Sequence, residues 1–548
     1  LHPGSDGAAG GPCRSGQNTS GAASSGLCNP AQSAELVKDR SMSSILTNTS
    51  SMVALQTLKG INSSLSKTQA EISTGKSVGS AKDNAAVWAI SKVMEADVKG
   101  FKGISDSLNL GESSVAVARQ ATETVTDLLT EIKGKVVAAQ EQNVDRGKIQ
   151  TDIDALTEQI KSVVNAAQFN GLNLLKGTED MNILSSLDRA GDGSVTAANI
   201  TVGRKDLTTS AGVYGGGTSL APNATVAGGA SAVASTGNSA VVTFAGTAAD
   251  YSAANATLTV AGVDLNYTGQ AGHTESNAAS FFSAAINALG LEGITASASS
   301  GALTVTSTRA FDSAKVTVGA LAGNAAGSQI TSLNGSAVTQ ASGDIANRAE
   351  QIDFSTSAAV KEGDGYKVTI GSGSYNYVAG KGETMEDVAR GLKTAIDSAG
   401  LTGITTKVVQ DASTGQWSLK VDNSGASKSF SSTGNEGGTA SGGLFGLDAI
   451  DVTTNAGADA ALDNIETMIN SSIAAAASFG SAQGRIEIQS EFVGKLSDAL
   501  KTGIGTLVDA DMEEASARLQ ALQVQQQLGV QSLSIANQAP QNILSLFR

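Results

Sequence analysis

The run ASARLQALQVQQQLGVQSLSIANQAPQNILSLFR, residues 515–548, decides how the rest of this chain is read. From Ala515 a 4-3 spacing passes through Leu519, Leu522, Gln526, Gly529, Leu533 and Ala536 to Pro540, Ile543 and Phe547. That is a heptad seam with small or polar members at some positions. Ala521, Val524, Leu528 and Ile535 form a second stripe beside it, and Leu546 closes the apolar end. A helix with two apolar stripes is not satisfied by one narrow partner, so the remaining sequence must supply neighbours.

The opening of the chain offers one. After the cap-forming oxygens of Asn48, Thr49, Ser50 and Ser51, Leu58, Leu65 and Ile72 recur every seven residues, with Leu55 and Ile61 beside them. Gly75 and Gly79 interrupt this helix, and helical pattern resumes from Ala81. Apolar residues then recur at three and four from Val93 through Leu110 and Val125 to Val137, which predicts one long helix. A third begins near Asp145, carries Ile149, Ile153, Leu156 and Ile160 on one face, and stops at the turn Phe169-Asn170-Gly171. Helical pattern returns near Asp459, runs through Ile465, Ile469, Ile473, Ile488 and Phe492, and leads into the terminal seam. Asp509, Asp511, Glu513 and Glu514 shade the first turn of the last helix acidic.

Between these helical ends lies a different composition. All six tyrosines fall within residues 206–450, among short Thr/Val alternations typical of strands. Val260–Tyr267 aligns with Ile370–Tyr377, and Gly290–Thr295 with Gly400–Thr405, both at a separation of 110 positions. Phe282, Ala285 and Ile286 correspond to Leu392, Ala395 and Ile396 on one face of a short helix. Each unit reads as a strand hairpin, a short helix and a second hairpin, so the centre holds two similar α+β modules. The fold class is multidomain α plus β, with long coiled-coil helices from both termini and inserted β-rich outer domains.

The net charge of −15 argues against nucleic acid as a partner. No run approaches the roughly 18 apolar residues of a membrane span. Cys13 and Cys28 both fall in the first thirty residues, so neither a disulfide framework nor thiolate chemistry is available to the body of the chain. His2 and His273 are the only histidines. There is no His-Glu-x-x-His, no Gly-x-Ser-x-Gly elbow, no P-loop and no Cys-x-x-Cys. Catalytic, cofactor and metal residues are therefore expected to be none. Residues 1–41 read as an unstructured leader, with Met42 as an alternative start.

Set side by side, the two ends resemble bacterial flagellin of the alphaproteobacterial type. The matching pieces are Ser73-Thr74-Gly75, Ser80 through Ala86, Phe169-Asn170-Gly171 with Leu174-Leu175, and Ala515 through Leu546. The resemblance implies a filament subunit that is exported unfolded, polymerises at the filament tip beneath a cap, and is extracellular. It implies inner coiled-coil segments at 42–88 and 509–548, a helical core from 89–206 with 451–508, and outer domains at 207–355 and 356–450. Its implied partners are other subunits, the cap and hook–filament junction proteins, and an export chaperone on the C-terminal helix. The assembly residues would be Leu55, Leu58, Leu65 and Ile72 at one end. At the other they would be Leu519, Leu522, Val524, Leu528, Leu533, Ile535, Ile543, Leu546 and Phe547. A junction protein, or a secreted filamentous adhesin, is the alternative reading.

Overall fold

The computed structural model describes residues 48–190, 194–244, 251, 255–319 and 328–545. The expected leader therefore lies outside the described residues. The chain divides into two units, one from the described residues up to Trp88 and from Val508 onward, the other spanning Ala89–Leu507.

The frame of the larger unit is helical. Helix α2 (Ala85–Ala139), counted after a first helix α1 (Thr49–Thr74), buries Ile104, Leu108, Val115, Val125, Leu129 and Ile132. It starts four residues later than the sequence pattern predicts. Ser80 to Asp83 close a turn instead, in which Asp83 Oδ2 accepts the Ser80 N–H at 2.9 Å and the Ser80 hydroxyl at 3.0 Å. Those bonds hold the Asp83 carboxyl below its usual value. Helix α3 (Arg146–Ala166) is capped by Asp145, which accepts from the Lys148 N–H, and it contributes Ile153, Ile160 and Val164 to the same core.

Strands β1 (Gln168–Phe169) and β2 (Leu172–Asn173) follow, joined by Asn170 and Gly171 at φ 51° and 82°. Two successive left-handed residues make the tight primed turn that Asn-Gly favours. A hairpin of β3 (Met181–Arg189) and β4 (Val195–Val202) lays Ile183 against Gly111 of α2, where a Cβ would have no room. The long returning helix, Asn455–Val508, adds Ile465, Met468, Phe479, Ile486 and Val493 to this core.

Two modules of one design complete the unit. The first holds strands β7 (Asn238–Thr243), β8 (Asn255–Val260) and β9 (Val263–Thr268), then helix α4 (Glu275–Ala288). Strands β10 (Ile294–Ser299), β11 (Ala302–Ser307) and β12 (Ala314–Val318) follow. The second repeats the order with β16 (Glu350–Phe354), β17 (Gly365–Ile370) and β18 (Gly373–Val378) before helix α5 (Met385–Asp397). It continues with β19 (Ile404–Gln410), β20 (Trp417–Asn423) and β21 (Lys428–Asn435).

In each module one sheet runs fourth strand, fifth, first: β10-β11-β7 and β19-β20-β16. The other runs β9-β8-β12 and β18-β17-β21. Each sheet is then extended by unshared strands: β13 (Gln329–Leu333), β14 (Ser336–Gln340) and β15 (Ser342–Ile345) in the first module, β5 (Ala224–Val226) and β6 (Ala232–Val233) in the second. The boundary expected at residue 355 thus falls elsewhere. Residues 350–354 pair with β20 and bury Ile352 and Phe354 in the second core, which also recruits 224–233 from upstream of the first module.

The pairing of equivalent residues reaches single side chains. Tyr377 donates its hydroxyl hydrogen bond to Glu383, with both carboxylate oxygens at 2.9 Å, and Tyr267 meets His273 Nδ1 at 2.5 Å at the equivalent positions. Gly391 lies flat beneath the Tyr377 ring, where the first module has Phe281 with its ring centroid 5.4 Å from that of Tyr267. The helices also differ in what covers them. Asn277, Ser280, Phe281 and Ala284 on α4 are exposed, whereas their equivalents Asp387, Arg390, Gly391 and Thr394 on α5 are buried or half-buried. Gly446 closes over Thr394, and Asn464 of the long returning helix hydrogen-bonds Lys393.

Candidate assembly surface

In the terminal unit, α1 pairs with the last helix, α7 (Met512–Ser545), the returning helix of the core being α6. Asn48 caps α1 by accepting from the Ser51 N–H at 3.0 Å, and its own Nδ2 donates to Ala536 O at 2.8 Å. Ser51 donates to Asn537 Oδ1 at 2.8 Å, and Gln526 Nε2 to Asn62 Oδ1 at 2.7 Å. Because low numbers meet high ones along the whole length, the helices are antiparallel.

The buried seam on α1 is Leu58, Ile61, Leu65, Thr68 and Ile72, at alternating spacings of three and four, with Thr68 only 2% exposed. The facing seam on α7 is Ala515, Leu519, Leu522, Gln526, Gly529, Leu533 and Ala536, all buried or half-buried. The 4-3 pattern of the sequence is therefore the line along which this chain's own two ends meet. Gln526 supplies a polar layer that fixes register. Gly529 supplies close approach: a Cβ there would stand 3.2 Å from Leu58 Cδ1. Gly529→Leu is expected to force the helices apart at a cost of about 1–3 kcal/mol and to lower the thermal midpoint at which the terminal helix pair melts. Gly529→Ala gains about 1 kcal/mol of helix propensity against that tight contact and should leave the midpoint nearly unchanged.

Below the seam both segments of the chain abandon helical conformation at one level. Gly75 ends α1 at φ 70°. Ser77 N–H then donates to Val508 O at 2.7 Å, Ala510 N–H to Gly75 O at 2.9 Å, and Lys76 bridges Asp509. The helix expected to run on toward the terminal seam is broken here, and Asp511 recaps it by accepting from the N–H groups of Glu513 and Glu514. Sequence reading located Asp511 but gave no sign of this backbone cross-pairing.

The expected assembly residues separate into three groups. Leu58, Leu65, Ile72, Leu519, Leu522 and Leu533 line the internal seam. Leu55, Val524, Leu528 and Ile535 are 56%, 55%, 58% and 64% exposed, and so face away from it. The side chains of Ile543, Leu546 and Phe547 lie outside the described residues. Met52, Val53 and Val530 share the exposed surface and went unnoticed in the sequence because they lie off the heptad positions. In the larger unit Ile90, Val93, Leu110, Ile488 and Phe492 are likewise about half-exposed or more.

No group of three or more His, Cys, Asp or Glu side chains is placed to hold a metal ion among the described residues, and no helix there is long and apolar enough to cross a membrane. A cleft of about 460 Å³ opens beside Tyr377, Lys381, Glu383 and Arg390. Burial and the facing Glu383 carboxylate push the Tyr377 phenol well above its ordinary value, so it remains a hydrogen-bond donor.

Comparison with known proteins adds the following. Residues 45–180 match the bacterial flagellin N-terminal helical region and residues 462–547 the bacterial flagellin C-terminal helical region. Flagellin A of Rhizobium meliloti is 31% identical over 514 residues, covering 92% of this chain and all of the relative. Flagellin D of Rhizobium meliloti strain 1021 is 32% identical over 520 residues with the same coverage. Among solved structures, flagellar hook-associated protein-3 of Legionella pneumophila is similar at TM-score 0.30 and 11% identity, covering 76% of this chain and 98% of that one. The D1-D2-D3 domains of the Escherichia coli flagellar cap protein give TM-score 0.16 and 12% identity, covering 65% and 71%.

Proposed function

The chain belongs to the bacterial flagellin family, and from that premise we propose how this subunit assembles. As a flagellin it is a structural subunit of the flagellar filament that serves motility, and its partners are components of that filament. The α1/α7 pair forms the innermost layer, with the stripe of Leu55, Val524, Leu528 and Ile535 packed on neighbouring copies. The core helices form the next layer and the two modules lie outside. The subunit travels unfolded through the export channel, shielded by a chaperone on the apolar C-terminal helix, and orders beneath the cap outside the cell.

The observation that carries this reading is the second stripe. The internal seam leaves Val524, Leu528 and Ile535 more than half exposed, and covering a side chain of this size stabilises by about 1.5–3 kcal/mol. A surface of this kind gains most from copies of itself arranged helically. Ordering of the terminal pair is then coupled to polymerisation. Electron cryomicroscopy of filaments grown from the full chain tests it. The stripe should be covered by adjacent subunits, and a stripe facing open solvent in the filament overturns the proposal.

A further inference from the structure

The most deeply buried lysine among the described residues is Lys393, in the second module, with 4% of its side chain exposed. Its Nζ donates to Asp397 Oδ2 at 2.8 Å and to Asn464 Oδ1 at 3.0 Å. Asn464, itself 6% exposed and on α6, returns a bond from Nδ2 to the same Asp397 Oδ2 at 3.3 Å. Thr394 Oγ1 donates to Arg390 O at 3.0 Å and lies 3.4 Å from Asn464 Oδ1, and Thr406 holds the other Asp397 oxygen. A further acid, Asp463, lies 3.7 Å from the amine and is 63% exposed.

An ordinary ion pair accounts for only part of this arrangement. Lysine preceding its acid by four residues is the weaker helical orientation, and burial adds a desolvation cost. Nor does an ion pair call for an amide whose nitrogen and carbonyl oxygen both face the two charged groups. One carboxylate oxygen spanning an amine and an amide nitrogen is instead the geometry of a proton relay between them.

We propose that Lys393 and Asn464 join in an intramolecular isopeptide bond, with Asp397 as the relay. Asp397 takes a proton from the Lys393 ammonium, which frees the nitrogen lone pair. Nζ attacks Asn464 Cγ, and the Thr394 hydroxyl turns its proton from Arg390 O to the carbonyl oxygen as charge gathers there. Asp397 passes that proton on to Nδ2, the Cγ–Nδ2 bond breaks, and the departing ammonia takes the second proton of Nζ and leaves as ammonium. The products are one secondary amide and one ammonium ion, with no oxidant, reductant or co-reactant. Holding amine, amide and carboxyl in contact inside a buried site replaces an external catalyst.

The bond ties α5 to α6, and so the second module to the helical core. No cysteine lies beyond residue 28, so a disulfide cannot serve this purpose. In the first module the positions equivalent to Lys393 and Asp397 are Ser283 and Asn287, which lack the nucleophile and the relay.

Mass spectrometry of the folded full chain tests the proposal. The intact chain should be lighter than its sequence by one ammonia, and proteolysis should release a branched peptide joining Lys393 to Asn464. Lys393→Met and Asn464→Ala should restore the full mass, and Asp397→Asn should leave both reactants intact but unjoined. A folded wild-type chain at full mass, or ammonia loss without the branched peptide, overturns the bond. A branched peptide in Asp397→Asn overturns the relay. The wild-type measurement stands even where a variant fails to fold.

Discussion

Chains ending at Ser532 are expected to fold, stay soluble and fail to polymerise. Deleting Leu533–Arg548 removes the bonds from Asn48 to Ala536 and from Ser51 to Asn537, the small seam member Ala536, and two large apolar side chains, Leu533 of the seam and Ile535 of the stripe. The larger unit keeps its own buried cores, none of which draws on this segment. Losing the burial of two such side chains costs roughly 3–6 kcal/mol. At about 1.4 kcal/mol per tenfold, the subunit concentration needed for growth rises roughly 100- to 10,000-fold. Sedimentation and negative-stain microscopy should find monomers, with the far-UV circular dichroism of the modules retained. Normal filaments from the truncated chain would sink the assignment of this helix to assembly.

Asp422→Ala should produce a large stability loss outside the terminal helices. Arg348 Nε and Nη2 donate to Asp422 Oδ1 and Oδ2 at 2.7 and 2.6 Å, and only 13% and 4% of the two side chains are exposed. The bidentate pair sits where the modules meet. The Arg348 N–H donates to Arg309 O of the first module, while Asp422 belongs to β20 of the second. Lys420 reinforces the junction through Asn347 Oδ1 at 3.2 Å and Phe311 O at 3.4 Å. Hydrogen bonding to Asp422 holds the guanidinium above its ordinary value, so removing the acid leaves a buried cation without a partner. Such a loss costs about 3–5 kcal/mol, whereas replacing both partners by apolar residues is often neutral. Urea unfolding followed at Trp417 should show the drop for Asp422→Ala and recovery in Arg348→Met with Asp422→Leu. Filament yield from the single variant should stay normal, because the terminal pair is untouched.

What the sequence made legible was whatever repeats. The α7 seam is readable because each member returns after three or four residues, and the structure faces that line inward. Leu55 lies beside the α1 heptad, and its one-residue displacement turns the side chain by about 100°, here out of the seam. The modules were legible as one separation of 110 positions through the hairpin and helix. Beyond Gln410 the turn at Asp411–Gln416 lengthens the second copy, and β11 and β20 no longer align at that separation. The strands β7 and β16 escaped notice because their partners are distant in sequence, and β5 and β6 because two or three residues carry no period. The pairing of Gly75–Val78 with Val508–Ala510 is made by backbone groups, which every residue other than proline possesses, so composition gives no sign of it.

The duplicated helices give each molecule its own reference thermometer. Helices α4 and α5 both start from a capping box, Thr274 with Asn277 and Thr384 with Asp387, and both lie across equivalent sheets. They differ chiefly in that α5 is covered on its outer face and α4 is bare. Their amide exchange rates, read from one sample in one tube, share temperature, pH and denaturant. The ratio of the two therefore reports what the cover and the Lys393 tie to α6 together contribute to local opening, with the bare copy as the baseline against which every shift in the other is measured.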